Sequence, residues 1–296
     1  MDLLTTFTDY LRYEKHHSPL TVTAYAKDLE TFQAYLAEHN LGPLQDARPK
    51  HIRSWMMHLL SQGIMHRSVN RKVAALRRFY KFLQSEDIIR LNPCSAIDSL
   101  RIAKNQPQAL DAPAMDLMLD RCPYPDDYEG CRDKTILELF YQTGMRVSEL
   151  TNLSDNQVDF GNQVIKVLGK RSKERIIPIS KVLDSVLKSY LHRRNSEFGD
   201  DANGGPLFLT KKGGRIYTRL VYRVVHSHIE MVSTITRKSP HVLRHTFASV
   251  LLKNGADLLA IKELLGHTSL AATQVYLHTD FEQLTKVYKK AHPRAE

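Results

Sequence analysis

The chain has 296 residues, 42% hydrophobic and 25% charged, a globular composition that excludes wholesale disorder and at this length favours two domains. No window approaches about 18 consecutive apolar residues, and the N-terminus lacks a basic start followed by an apolar run, so we expect no membrane span and no secretory signal. The net charge of +10 and the pI near 9.4 favour an anionic partner, nucleic acid before a membrane surface.

The cysteine content is typical of a reducing compartment. Cys94, Cys122 and Cys131 are odd in number and include no CxxC pair. A cytoplasmic protein with reduced thiols is the simplest explanation.

The first hundred residues have the spacing of amphipathic helices. Ser18 and Pro19 supply an N-cap followed by proline at the first helical position. The apolar stripe that follows has spacings of three and four and comprises Val22, Tyr25, Leu29, Phe32 and Leu36. This helix should stop within 40–43, and a second should occupy 51–62. A third should start near Ser68, with a stripe that comprises Val69, Val73, Leu76, Tyr80 and Leu83.

The third predicted helix lies in a strongly basic segment. Between Arg48 and Lys81 the chain has nine basic residues and no acidic one. If the apolar stripe packs on neighbouring helices, the basic surface is free to follow a phosphate backbone. A solvated charged face is the alternative. The residues expected to contact DNA are Arg71, Lys72, Arg77 and Arg78.

A linker should separate the two domains. The helical periodicity lapses near Glu86, and residues 87–106 are polar and marked by prolines. We therefore predict an N-terminal helical domain at 1–86 and a second domain at 107–296. A short connection between two basic domains can let them close like a clamp around a duplex.

The second domain has a mixed pattern. The apolar residues within 136–140 predict a buried helix that runs towards Thr143 and Gly144. Residues 164–179 hold two β-branched runs around a polar centre that contains glycine, which is typical of a β-hairpin. Helical patterns return after Gly205. The predicted fold is mainly α with a small β-sheet or hairpin in this domain.

Two segments of the second domain combine glycine with basic residues. TGMRVSEL places Arg146 three residues before Glu149, which by itself predicts a helix start with an ion pair. GKRSKER places Lys170 at the tip of the predicted hairpin. From such a turn a lysine can enter a groove that holds nucleic acid, although basic hairpin tips are often only solvated.

A third segment, HVLRHTFA, starts at Ser239-Pro240 and puts His241 and Arg244 on one face of a helix N-terminus, a place that favours an anion. Its HxxxH pattern suggests zinc. However, the glutamate of HExxH is absent and no third ligand is near. His245 could simply be a packed core histidine.

The fourth segment is LGHTSLAATQVY. Gly266 should end a helix whose apolar stripe comprises Leu258, Ile261 and Leu265. His267 follows that cap, and Tyr276 follows on a further short helix that Ser269 can start. A lone tyrosine among apolar neighbours is usually a core residue.

Taken together and in this order, the four segments resemble the signature of the tyrosine site-specific recombinases, the phage integrase family. The resemblance spans a SAM-like N-terminal core-binding domain and a C-terminal catalytic domain, and it implies a two-domain, C-shaped clamp. Within the family the chain is most similar to the Xer recombinases, and the ending DFEQLTKVYKKAHPRAE favours the XerC branch. Arg171 stands where the family's hairpin often has glycine.

The resemblance implies covalent chemistry on DNA. Tyr276 would attack a phosphodiester, hold the 3′-phosphate and release a 5′-hydroxyl, so that the energy of the broken bond is kept for rejoining. His241 would assist proton transfer, and Lys170 would protonate the leaving oxygen. Glu149 and Ser148 would be structural support.

The remaining positions would hold the DNA. Arg146 and Arg244 are planar forks suited to the non-bridging oxygens of the transition state, and His267 would bind phosphate. Arg171 and Lys173 on the hairpin would add contacts to DNA. Because these cations replace a metal, and because the chain lacks clustered carboxylates and a Walker motif, we expect no cofactor, no metal and no nucleotide hydrolysis.

Several functions remain open at this point. A type IB topoisomerase-like strand transferase, a mobile-element integrase and a non-catalytic DNA-binding regulator are the alternatives, whereas a metal-dependent nuclease lacks the carboxylates it would need. For a Xer recombinase the implied role is resolution of chromosome and plasmid dimers at cell division. The implied location is cytoplasmic and nucleoid-associated, away from membranes.

The implied partners are a double-stranded DNA recombination site and a tetrameric synaptic complex. A sister recombinase similar to XerD would share that complex, under a septal DNA translocase. The residues after Tyr276 should form an exchange helix that docks on a neighbouring subunit or packs on its own domain. Its stripe comprises Phe281, Leu284, Val287 and Tyr288.

Overall fold

Helices build the N-terminal part of the molecule. The computed structural model describes residues 2–102, 108–169, 174–199, 204–266 and 281–295, and it divides the chain into two units, Met1–Asn105 and Gln106–Glu296. The helices of the first unit are α1 (Leu3–Asp9, continued by a π-helical turn at Tyr10–Glu14), α2 (Pro19–Glu38), α3 (Pro49–Ser61) and α4 (His66–Ser85).

The capping residues of the first unit confirm the predicted helix starts and stops. The Oγ of Ser18 accepts a hydrogen bond from the backbone N–H of Thr21 at 3.3 Å, and Pro19 opens α2. Gly63 has a φ of +77°, which lets the chain turn between α3 and α4. All five residues of the stripe predicted on α4 are buried.

The core of the first unit also includes part of the predicted linker. Cys94 and Ile97 are buried in this core. The Asn70 side chain donates to the Leu100 carbonyl and accepts from the Leu100 N–H, both at 2.8 Å. The chain up to residue 102 therefore packs on the first unit. The linker boundary stays a prediction, because residues 103–107 lie outside the described residues.

The second unit places helices around a small sheet, as predicted. Its helices are α5 (Ala112–Asp116, continued by a π-helical turn at Leu117–Arg121), α6 (Tyr128–Thr143), α7 (Val147–Asn152), α8 (Lys181–Phe198), α9 (Thr218–Val232), α10 (Pro240–Lys253), α11 (Leu258–Leu265) and α12 (Phe281–Ala291). Its strands are β1 (Val158–Asp159), β2 (Val164–Leu168) and β3 (Glu174–Pro178), antiparallel in that order. Val164 pairs with Pro178 and Leu168 with Glu174, which confirms the hairpin.

Helix α6 is the central element of the second unit. Its residues from Thr135 to Thr143 are all buried, and it packs against α8 and α10. A helix that is buried on every side can form only at the centre of a core. It ends at Gly144, whose φ of +56° turns the chain sharply towards α7.

Helix α12 packs on its own unit, one of the two arrangements that the sequence left open. Tyr288 and Ala291 are buried in a cluster with Phe247 of α10 and residues of α11. The Tyr288 hydroxyl donates to the Gln142 side chain at 3.3 Å. Arg294, after the helix, forms ion pairs with Glu138 and Asp120. No helix in the described part of the chain is long and apolar enough to cross a bilayer.

The buried ring of His292 is held as a neutral imidazole. Its Nε2 donates to the Tyr141 carbonyl at 3.1 Å, and its Nδ1 accepts from the backbone N–H of Arg294 at 3.2 Å. Only a neutral ring supplies one donor and one acceptor. Burial lowers the pKa of His292 to about 4, against the effect of the hydrogen bond to Tyr141.

The stability of the second unit should therefore decrease in acid. An unfolded histidine has a pKa near 6.5, so the contribution of His292 is complete above that pH and is lost as the pH falls towards 4. We expect a loss of about 3 kcal/mol over this range. Denaturant unfolding followed by circular dichroism should show this loss in the native chain and not in the non-titrating variant His292→Gln. Equal pH dependence of the two proteins would contradict the assignment.

Candidate active site

Arg146 occupies the N-cap of α7, directly after the turn at Gly144. Its backbone N–H donates to Oε2 of Glu149 at 2.7 Å, and its guanidinium Nη1 donates to Oε1 at 2.8 Å. Both hydrogen bonds run from Arg146 to Glu149, and together they fix the start of the helix and the direction of the arginine side chain. The ion pair predicted from the spacing in TGMRVSEL is confirmed.

Glu149 serves a second arginine as well. Arg175 of β3 donates from Nη1 and Nη2 to the two carboxylate oxygens, each at 2.8 Å. The side chains of Glu149 and Arg175 are 4% and 11% exposed. Burial would raise the pKa of Glu149, but its hydrogen bonds and charge interaction with Arg175, together with those from Arg146, outweigh burial and lower the pKa. Glu149 is therefore an anion at neutral pH.

Arg175 is the residue of this cluster that the sequence analysis missed. It lies in GKRSKER, a segment in which the resemblance gives roles to Lys170, Arg171 and Lys173 and none to Arg175. The available signal was the alternation of the strand, since Arg175 lies on the same face as the buried Ile177, whereas the neighbouring Glu174 is exposed. An arginine on the inner face of a strand needs a buried acceptor.

Arg244 lies on α10, buried except for 8% of its surface. Its Nη1 donates to the Gly144 carbonyl at 2.5 Å and its Nη2 to the Leu265 carbonyl at 2.6 Å. Arg146 donates from Nη2 to the next carbonyl, that of Gly266, at 3.1 Å. The structure therefore brings the two predicted arginines together at the end of α11.

The third arginine completes this arrangement. The Nε of Arg175 donates to the Leu264 carbonyl at 2.9 Å. The last carbonyls of a helix have no partner within the helix and carry its partial negative charge. At the end of α11 three successive carbonyls, those of Leu264, Leu265 and Gly266, thus accept from three different arginines.

The cluster has a net positive charge that favours the binding of an anion. It holds three guanidinium groups and one carboxylate, so positive charge predominates. Burial, followed by the charge of Arg146, lowers the pKa of Arg244 to about 10, which still leaves it protonated at neutral pH. Within the described residues, Arg146 and Arg244 each use two of five N–H groups in the hydrogen bonds above, which leaves N–H groups for a bound anion.

His241 is in the first turn of α10 and is exposed. Partial burial of its ring and the charges of Arg244, His245 and Arg146 lower its pKa below 6.5. A neutral imidazole at pH 7 can accept a proton. The idea that His245 packs in the core is wrong, because this residue is exposed. Leu258 of the stripe predicted for α11 is likewise 53% exposed.

Several predicted site residues lie outside the described residues. These are Lys170, Arg171, Lys173, His267 and Tyr276. Lys170 falls between β2 and β3 in the sequence, and His267 directly follows Gly266, whose carbonyl accepts from Arg146. Among the described residues, no group of three or more His, Cys, Asp or Glu side chains could hold a metal ion.

The four residues of α4 that are expected to contact DNA have partners within the first unit. Arg71 pairs with both carboxylate oxygens of the buried Asp28, and Lys72 donates to the same carboxylate at 3.0 Å. Arg77 donates to the Ile97 carbonyl. Arg78 donates to a ring nitrogen of His17 at 3.2 Å. The basic surface is thus pre-arranged rather than free, and its contact with DNA stays a prediction.

The turn at Gly144 should be intolerant of a side chain. A Cβ at this position would lie 2.5 Å from Phe247 and 2.8 Å from Leu265, in addition to the cost of its positive φ. We expect Gly144→Ala to lower the free energy of unfolding by about 2–4 kcal/mol. Gly255→Ala is the matched control, since its φ is +82° with open space around it, and it should cost only about 1 kcal/mol. Equal losses in denaturant unfolding would show that crowding at Gly144 is unimportant.

Comparisons with known proteins cover nearly the whole chain. The phage integrase family matches residues 108–283, and the N-terminal SAM-like domain of phage integrases matches residues 4–87. Tyrosine recombinase XerC of Thermodesulfovibrio yellowstonii is 38% identical over 295 residues, covering 98% of this chain and 96% of the relative. Tyrosine recombinase XerD of Chlorobaculum tepidum is 35% identical over 294 residues, covering 98% and 96%. Further relatives of similar identity are named XerC.

Solved structures share the fold. The XerH site-specific recombinase, in a post-cleavage complex with a palindromic difH substrate, matches with a TM-score of 0.72 and 21% identity, covering 97% of this chain and 83% of that one. At 21% identity this likeness shows the fold alone, whereas the sequence matches show the family. The chain belongs to the phage integrase family, the family of the tyrosine recombinases.

Proposed function

We propose that this chain is a Xer-type site-specific recombinase that cuts and rejoins DNA strands through a covalent 3′-phosphotyrosine at Tyr276. The observation that carries the proposal is the pairing of Arg146 and Arg244 on consecutive carbonyls at the end of α11. This pair forms a cationic site in a chain whose relatives are named tyrosine recombinases. The DNA complex of XerH supports DNA as the substrate.

The two arginines would stabilise the transition state. Attack on a phosphodiester gives a pentacoordinate phosphorus with two charged non-bridging oxygens, which planar N–H forks suit. Because Arg244 is buried and repelled by Arg146, an anion between them would relieve an existing cost. Fixed donors of this kind contribute about 3 kcal/mol each, so loss of either should slow cleavage by roughly a hundredfold or more.

Protons would move through the remaining groups. A free tyrosine has a pKa of about 10, so Tyr276 needs a base during attack. The lowered pKa of His241 supports that role, since its ring is neutral at pH 7. Lys170 would protonate the leaving 5′-oxygen, and His267 would bind the phosphate.

The first unit would contribute contacts to the phosphate backbone. Arg71 is anchored on Asp28 while half of its side chain remains exposed. An anchored guanidinium loses less side-chain entropy when it binds phosphate. The surface would comprise Arg71, Lys72, Arg77 and Arg78, joined by Arg171 and Lys173 of the hairpin.

The biological role would be resolution of chromosome and plasmid dimers at cell division. A tetrameric complex on two DNA sites would assemble with a sister recombinase of the XerD kind, under a septal DNA translocase. A protein with this substrate would act in the cytoplasm on the nucleoid. The family assignment and the Xer names of the relatives support this role.

Covalent attachment to DNA tests the proposal directly. The DNA target of the chain would first be found by selecting the genomic fragments that it binds. We expect incubation with a nicked duplex of that sequence to leave a protein–DNA adduct that survives SDS and EDTA. Tyr276→Phe should abolish the adduct, because the phenol oxygen is the nucleophile, while Tyr222→Phe on α9 should not. Mass spectrometry should place the nucleotide on Tyr276, and attachment to another side chain would overturn the proposal.

The salt dependence of DNA binding tests the surface of α4. Neutralising two phosphate contacts with Arg71→Gln and Arg78→Gln should reduce the slope of log affinity against log salt by about 2. The control Lys188→Gln with Arg193→Gln removes the same charge from two side chains of α8 that pair with acidic residues. An unchanged slope in the first variant would exclude these arginines from the DNA contact.

A further inference from the structure

Glu149 divides one negative charge between two arginines. Arg146 and Arg175 both donate to Oε1 at 2.8 Å, and Arg175 alone also reaches Oε2 with its guanidinium. Oε2 has a second partner, the backbone N–H of Arg146. Each carboxylate oxygen thus accepts two hydrogen bonds, and the two arginine side chains share Oε1.

Without Arg175 this balance would change. Among the described residues, the buried carboxylate would keep Arg146 as its one charged partner, because Arg244 donates to the carbonyls of Gly144 and Leu265 instead. A buried anion draws its one remaining cation into a close, bidentate pair. Such a pair would neutralise Arg146 and occupy N–H groups that could otherwise bind phosphate.

Arg175 is itself held in a rigid position. Its Nε donates to the Leu264 carbonyl at 2.9 Å, and its guanidinium lies so close to Gly266 that a Cβ there would be 3.1 Å from Nη1. Its side chain is only 11% exposed. The guanidinium therefore faces Glu149 and the end of α11 and has little room to reach a bound substrate.

We propose that Arg175 is a positioning residue that acts through Glu149 on Arg146. It supplies the counter-charge for Glu149, so that Arg146 keeps its positive charge and its free N–H groups for the non-bridging oxygens of the scissile phosphate. The inference rests on the proposed recombinase function, and it says which residue keeps Arg146 charged at that same site. Arg175 itself does not touch the substrate.

The first test compares two largely buried arginines, each of which forms a bidentate pair with a carboxylate, inside and outside the proposed site. Arg175→Gln should slow single-turnover formation of the protein–DNA adduct at least about tenfold at saturating protein, with DNA affinity unchanged within about threefold. Arg194→Gln is the control, since Arg194 is buried and forms a bidentate pair with Asp155 and a hydrogen bond to the Leu207 carbonyl. It should lose stability, but each folded molecule should cleave at the native rate.

A second measurement separates charge from general disruption. A substrate with a methylphosphonate at the scissile position lacks one negative oxygen, so the charge of Arg146 matters less on it. The defect of Arg175→Gln should shrink several-fold on this substrate. Adding Glu149→Gln should also restore part of the rate, since it removes the carboxylate that would neutralise Arg146. A role confined to folding would give the same defect on both substrates and no restoration.

The outcomes are distinguishable. Absence of an adduct with the native chain would overturn the proposed function. A normal adduct with an unimpaired Arg175→Gln, or a defect that neither the methylphosphonate nor Glu149→Gln relieves, would overturn only the role of Arg175. If Arg175→Gln does not fold, Arg175→Lys takes its place, because a lysine keeps the charge but cannot bind both oxygens, and a smaller defect with the same relief is expected.

Discussion

A single buried carboxylate organises the site. Glu149 closes the first turn of α7 by accepting the backbone N–H of Arg146, and it also accepts from the side chains of Arg146 and Arg175. Three guanidinium groups can lie this close together only if an anion offsets part of their repulsion. The carboxylate does so while leaving an excess of positive charge, and it joins α7 to β3.

The carbonyl groups at the end of α11 also hold the arginines in place. Its carbonyls at Leu264, Leu265 and Gly266 have no partners within the helix, and three arginines from three other elements satisfy them. The helix end needs cations for its own stability and holds them in a fixed array. Substrate binding would then require little rearrangement, which is the condition under which electrostatic stabilisation of a transition state is most effective.

In both units one buried carboxylate holds two basic side chains. In the first unit the buried Asp28 anchors Arg71 and Lys72 on one face of α4, and in the second Glu149 anchors Arg146 and Arg175. In both cases a buried anion directs cations whose charge it only partly neutralises. A flexible cation would lose more entropy on meeting phosphate than one already held in place. The proposed substrate, DNA, is a polyanion, and such anchoring would favour its binding in both units.

Short-range sequence signals were enough to predict many of the helices and the hairpin. Capping residues and apolar spacing predicted α2 and α4, and two β-branched runs predicted the hairpin, because these signals act within a few residues of the chain. The motifs also indicated Arg146 and Arg244, which the structure brings together at the end of α11. Sequence could not reveal that Arg175 shares Glu149 or that His245 is exposed, nor that Arg71 and Lys72 meet a carboxylate more than forty positions away. Those facts depend on which distant elements pack together, and only the tertiary structure decides which buried charge meets which partner.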